Sequence, residues 1–483
     1  MSKLVYNEIY KLFHKRSTKL YFVLVFLLLT LSLVIVLKFD NSEGNESNFD
    51  INYQQSIIDS YKDRNDLNDD EKNEYLGALI ERDKLSLIKE KGIKRNSPEE
   101  AYVKDNMSQL FYSKNFIIVY GYTTDVNNRT LDDINAEIDK EIKRLEDFDP
   151  IAVIRDELKT LNKETVCSNI KSEFCDKYFD IYKKVLEYRI EMNIPKSYNV
   201  ASMALEKYLT EYPSYLQYEK DKGRIKEEDK NSYNEILSFN KTMEYKIDHK
   251  LLTLESEVQP NMVEIVSSGL TDMSIFIVIG LIMIGASVLS EEFEKGTIKL
   301  LLVKPFTRNK ILISKIIASI IMIVIFCLYV TVLNTVSSII YNNHLGMPFI
   351  YSLCEYNFSL HKVVEYNVFN HYILTFISQM IYFIMLDLIV ICFSTLTTST
   401  AISTSFGFGL LLGSTIITEF VDKFKWIPLL PMYTSDMINV FFGQPPAYKI
   451  LTLPVQVFFN IVYVILFVGL AMFIFKKKDI KNQ

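Results

Sequence analysis

Leu20–Leu37 reads LYFVLVFLLLTLSLVIVL, a run without a single charged side chain. At about 1.5 Å of rise per residue it is long enough to cross the hydrocarbon core of a bilayer as a helix. A signal peptide would have a shorter apolar core and a small-residue cleavage site, but Phe39–Ser47 (FDNSEGNES) offers no such site. The run therefore reads as an uncleaved span. Working outward from it, further apolar runs lie at Ile265–Leu289, Lys315–Ile340, Tyr372–Phe393, Ile402–Phe420 and Val455–Phe475, each bounded by charges or turn residues. The expected fold class is an all-α membrane protein of six transmembrane helices, with a mainly helical extracytoplasmic domain between the first and second.

The charges set the orientation. Lys3, Lys11, Lys15, Arg16 and Lys19 precede the first span, and Lys476, Lys477, Lys478 and Lys481 follow the last. The positive-inside rule places both ends in the cytoplasm, as an even number of crossings requires. The link at 290–315, with Lys295, Lys299, Lys304, Arg308 and Lys310, then lies inside as well. About 47 acidic and 34 basic residues fall between Lys38 and Glu264, so the net charge of -6 comes from one outer block while the remainder is basic. The expected organisation is a leader at 1–19, the first span at 20–37, the outer domain at 38–264, five more spans within 265–475 and a basic tail at 476–483. Localisation is the cell membrane, multi-pass, with the lipid bilayer as a partner; no nucleic-acid partner is expected.

Within the outer block, Asn52–Lys91 and Leu131–Leu254 are rich in Glu, Lys, Leu, Ile and Tyr and poor in Gly and Pro, which favours long helices. Ile134, Ile138, Ile142 and Leu145 mark one apolar face. Phe116–Tyr122 (FIIVYGY) fits a strand or a buried helix turn equally, and Asn41–Asn48 and Gly121–Asn128 read as links. Five cysteines make no disulfide framework, but Cys167 and Cys175 are spaced to close a small loop in an oxidising compartment.

The most specific stretch is Ser290–Lys315, SEEFEKGTIKLLLVKPFTRNKILISK. It reads as a helix leaving the membrane, an acidic turn, a break at Gly296, a short amphipathic helix, then Pro305 before re-entry. Its elements, Glu292 or Glu294, Gly296, Thr297, Leu300–Leu302, Pro305, Arg308 and Lys315, resemble in order and spacing the inner link of the ABC type-two exporter permeases. The resemblance covers about half the chain and extends to the six-span plan, the leader, and an outer link before the last span that dips into the membrane. It implies that 290–315 is a coupling segment that docks on a separate ABC ATP-binding subunit, with Glu292, Glu294, Gly296, Thr297, Pro305, Arg308 and Lys315 as coupling residues. It further implies a second permease copy or a sister permease, with ATP and magnesium held by the partner ATPase, and outward movement of a hydrophobic or amphipathic substrate. The insertion of more than two hundred residues after the first span departs from compact members of that family. It is similar in placement to the outer domain of the phage-infection-protein family, which implies a secretion-accessory or scaffold role as the alternative.

In the leader, Leu4, Val5, Ile9, Leu12 and Phe13 share a broad face opposite Lys3, Asn7, Lys11 and Lys15, suited to the headgroup plane or to a simple cationic anchor. The chain lacks G-x-x-x-x-G-K-[ST], so it is not itself expected to hydrolyse ATP, and it is expected to bind no cofactor. It also lacks H-E-x-x-H, and its five histidines are scattered. Glu291–Glu292 partly resembles the paired glutamates of CAAX-type membrane proteases, without the arginine and later histidines those need. No catalytic or metal residue is therefore expected. Asp387, inside the fourth apolar run, is a candidate for the transport path or a hydrogen-bonding anchor, since a carboxylate in hydrocarbon needs a cavity or a partner. Gly409 and Gly413 form a small-xxx-small pair, read first as packing within the bundle.

Overall fold

The computed structural model describes residues 2–41, 46–64, 66–95, 97–122, 129–198, 200–226, 229–251, 269–303, 306–345, 352–418, 420 and 424–478. Two compact units result, one of Met1–Ile35 with Asn261–Gln483 and one of Val36–Pro260. Six helices of the first unit are long and apolar enough to span a bilayer: Arg16–Ile35, Ser274–Glu294, Arg308–Tyr341, Phe369–Leu396, Thr400–Thr418 and Leu453–Lys477. The chain is an all-α membrane protein in its architecture.

The second and fourth spans sit at the centre of this bundle, and their side chains are the most enclosed. Ile277, Leu281 and Leu289 meet Leu312, Met322 and Phe326 of the third span, Phe383 and Ile391 of the fourth, and Phe475 of the sixth. Polar anchors inside this apolar contact are backbone-directed, as a dry interior requires. Tyr21 donates to the Phe276 carbonyl and Tyr329 to that of Phe22, both at 2.8 Å, tying the first span to the second and third. The second helix runs to Glu294, five residues beyond its apolar stretch, because the glutamates at its end are paired with lysines rather than turned to water. The outer residues 265–268 of that run lie outside the described residues.

Gly409 and Gly413 differ from the expectation. A Cβ at either would have nothing within 4 Å, so the pair is not buried in this bundle and its face of the fifth span is left open. Gly407, two residues before Gly409, is the glycine against Ile282.

A two-stranded antiparallel hairpin precedes the fourth span, β1 (Ser352–Asn357) pairing with β2 (Lys362–Asn367) in the register Ser352↔Asn367. The segment before the sixth span is irregular, with short turns of helix at Ile427–Leu429, Pro431–Thr434 and Ile438–Phe441. Its loose carbonyls are satisfied by the sixth span. Gln456 donates to Asp436 O and Asn460 to Thr434 O, each at 2.8 Å, and Tyr463 to Leu429 O at 2.7 Å. Such side-chain rescue is what permits non-helical backbone beside a membrane helix.

The second unit is helical throughout its described residues. Helix Asp69–Lys91 begins in a capping box between Asn68 and Glu71 and ends at Gly92 in the left-handed region; helix Leu131–Arg144 begins in a box between Thr130 and Asp133. Ile134 and Ile138 are buried against Leu87, Val103, Met107 and Phe111, with Ile142 and Leu145 at the margin. The ambiguous FIIVYGY stretch is the end of helix Ser108–Tyr120, stopped by Gly121.

Cys167 and Cys175 are joined by a disulfide across eight positions. Closing so short a loop stabilises the folded unit by about 2.5 kcal/mol on the chain-entropy account. Reduction, or the Cys167→Ser variant, is therefore expected to raise the rate of proteolytic nicking between Leu161 and Cys175 by one to two orders of magnitude, read by gel densitometry on the full-length protein. An unchanged rate would show that the neighbouring helices alone hold the loop.

Candidate functional site: a braced end of the bundle

Every descending and ascending helix of the first unit is tied together at one end, around the segment that follows Ser290. Lys315, near the start of the third span, is 2 % exposed and donates to Glu292 of the second span at 2.9 Å and to Glu8 of the leader helix (Ser2–His14) at 2.8 Å. Glu292, 4 % exposed, also receives Lys11. Lys15 pairs with Glu291 and donates to Ser287 Oγ at 2.8 Å, and Lys295 reaches Glu291 at 2.6 Å. Three carboxylates thus meet four ammonium groups. The leader is consequently packed on the protein, with Leu4 and Leu12 buried, and its charged edge closes the cluster.

Burial works against the charge of both leader lysines. At Lys11 the hydrogen bond and charge of Glu292, with help from Glu8 and Glu291, outweigh burial and raise the ammonium pKa; at Lys15 burial wins over Glu291 and lowers it.

Three more contacts bring in the remaining helices by capping their ends. Arg308 donates to the carbonyls of Phe475, Lys476 and Lys478, at 3.2, 3.0 and 3.0 Å, at the C-terminus of the sixth span. Lys478 in turn donates to the carbonyls of Thr395, Leu396 and Thr397 at the end of the fourth, at 2.9, 3.1 and 2.9 Å. Cations belong there, since those carbonyls lack helical partners and carry the negative end of the helix dipole. Glu294 does the converse, accepting from Thr400 N and Oγ1 at 2.9 and 2.5 Å at the positive end of the fifth span. Ser394 completes the weave, donating to Ala286 O at 2.8 Å and accepting from Ser290 N at 3.0 Å.

Between these braces lies a tip with exposed side chains. Gly296 sits at φ +68°, where any side chain would cost about 1–2 kcal/mol, and this turn starts the short helix Ile298–Leu302. Ile298 is buried, but Leu300 is 73 % and Val303 85 % exposed, and Phe306 is exposed beside them. Thr297 is exposed at the start of the turn. Pro305 lies outside the described residues.

Of the residues singled out in the sequence, Glu292 and Lys315 are therefore interior partners of one another, Glu294 and Arg308 cap neighbouring helices, and Gly296 and Thr297 shape the tip. Glu8, Lys11, Lys15, Ser394 and Lys478 belong to the same assembly and were not anticipated. Their one legible signal was Lys315 itself, a cation inside an apolar run (ILISKIIASI) that had to find a partner.

Asp387 is elsewhere, fully buried where the second, third and fourth spans cross. Both its oxygens lack a hydrogen-bond partner among the described residues, as does the Ser319 hydroxyl, its electrostatic neighbour. Gly285 makes the room, since a Cβ there would stand 2.6 Å from Asp387 Oδ1.

The family description "ABC-2 family transporter protein" matches residues 3–480. An uncharacterized protein of Bacillus subtilis (strain 168), YhcI, is 28 % identical over 273 residues, covering 54 % of this chain and 81 % of that protein. No solved structure matches. A match over nearly the whole length, with six helices apolar enough to span a membrane, assigns the family: the chain belongs to the ABC-2 family of transporter membrane proteins.

Proposed function

We propose that the chain is the permease half of an exporter, driven by a separate ABC ATP-binding subunit that grips the Gly296–Phe306 tip from the cytoplasm. The observation that carries this reading is the exposure of Leu300 and Val303 directly beside a cluster in which Lys315 and Glu292 are almost wholly buried. An apolar tip is a docking surface, and a stiff, multiply bonded base converts its displacement into movement of whole helices. When two ATPase subunits close on ATP and magnesium, the push on Ile298–Leu302 reaches the second and third spans through Glu292 and Lys315. It reaches the fourth, fifth and sixth spans through Lys478, Glu294 and Arg308.

The cationic residues at both chain ends and in this link support a cytoplasmic position for all three, which puts the Val36–Pro260 unit outside. A second permease copy, or a sister chain, would complete the pathway, and the open Gly409–Gly413 face supports such pairing. The apolar walls of the bundle favour a hydrophobic or amphipathic cargo. Affinity purification from native membranes in mild detergent tests the reading, with co-purification of a protein bearing the phosphate-binding loop as the expected result. Recovery of the intact chain with no such protein would overturn it and favour a secretion-accessory role.

A further inference from the structure

At the end of the bundle opposite the braced cluster, the spans border a half-open cavity of about 290 Å³ with a mixed polar and apolar lining. Thr271 precedes the second span, Gln379 and Tyr382 come from the fourth, Ser414 from the fifth, and Tyr433 and Asp436 from the irregular segment before the sixth. Asp436 is the acidic residue of this lining, and among the described residues no lysine, arginine or histidine lines the cavity. Its carboxylate accepts a backbone hydrogen bond from Ile438. Thr271 Oγ1 is buried there without a hydrogen-bond partner among the described residues. A carboxylate with no cation among the described lining residues, two phenol rings and an unbonded hydroxyl together describe a receptor for a cation.

The size and donor set narrow the class. No group of three or more metal-ligating side chains occurs among the described residues, so a divalent metal lacks its ligands. A bare monovalent ion would leave most of the 290 Å³ unfilled, whereas an ammonium with organic substituents fits and gains from the tyrosine faces. We propose that this cavity binds a small organic ammonium group, with Asp436 as counter-ion and Tyr382 and Tyr433 as the aromatic walls. The site stands independently of ATP-driven export, since it needs only the folded bundle. Two sources share this chemistry, a free amine and the headgroup of an ammonium-bearing lipid.

Titration of choline into the purified full-length chain, in nanodiscs of phosphatidylglycerol and followed by isothermal calorimetry, tests the proposal. Saturable binding is expected in roughly the millimolar range, with 3,3-dimethylbutan-1-ol, the uncharged isostere, binding at least about tenfold more weakly. Asp436→Asn, which keeps an acceptor for the Ile438 N–H, is expected to weaken choline binding by about tenfold or more, and Thr271→Val by a few-fold. Glu365→Gln, an exposed change on β2, is expected to leave it unaltered. In nanodiscs of phosphatidylcholine, loss of free-choline binding would assign the site to the lipid headgroup, and undiminished binding to a free amine. Equal affinity for the isostere, or choline binding unaffected in both Asp436→Asn and Thr271→Val, would overturn the proposal.

Discussion

Lys315→Met is expected to lower the stability of the membrane bundle by about 3–5 kcal/mol, a loss large enough to leave much of the protein unfolded or degraded at growth temperature. The substitution nearly preserves side-chain volume but strands Glu292, which is buried and has Lys11 as its remaining cation, and removes the bond that holds Glu8 of the leader. Breaking one half of a buried pair costs far more than the pair contributes, because the remaining charge stays desolvated, here with only the half-exposed Lys11 to offset it. The double variant Lys315→Met with Glu292→Gln removes that stranded charge, so it is expected to recover most of the loss. Denaturation of the detergent-solubilised protein, followed by loss of monodisperse material, gives the comparison. If the single and double variants fell equally, the cluster would be acting through volume and packing rather than charge.

The bundle was legible because a bilayer leaves little choice: a long uncharged run has to cross as a helix. The paired ends of that bundle were legible only in part. Glu292 and Lys315 are 23 residues apart, on either side of a charged link; Lys315 stands in an apolar run and demands a partner, but nothing in the sequence says which carboxylate supplies it. Arg308 and Lys478 act through backbone carbonyls of helices more than eighty residues away, a contact that composition cannot encode. The hairpin left little signal: SLCEYN and KVVEYN do not alternate apolar with polar residues, and the turn from Phe358 to His361 lacks the Asn-Gly or Asp-Gly pair that marks a tight connection. At Gly409 and Gly413 the expected packing within the bundle is absent, because spacing shows that a face is smooth and not what lies against it.

The tip gives the opposite kind of prediction, one in which folding is spared and assembly fails. Leu300 and Val303 are exposed, so Leu300→Glu and Val303→Glu remove no internal contact and are each expected to change the stability of the isolated chain by less than about 0.5 kcal/mol. If an ATPase cleft covers them, each buried side chain is worth about 2 kcal/mol of docking energy, and the pair of substitutions is expected to weaken association by roughly a thousandfold. Pull-down of the ATPase by the tagged double variant should therefore fail under conditions that retain it on the parent chain, while size-exclusion profiles of the permease itself superimpose. Leu360→Glu, at the exposed turn of the hairpin, should retain the ATPase fully. The two results separate the parts of the link. Lys315 acts inside the protein and its loss is seen as instability, whereas Leu300 and Val303 act outside it and their loss is seen only when the motor is present. An undiminished pull-down by the double variant would remove the tip as the point of grip, even if the braced cluster behind it proved as stabilising as expected.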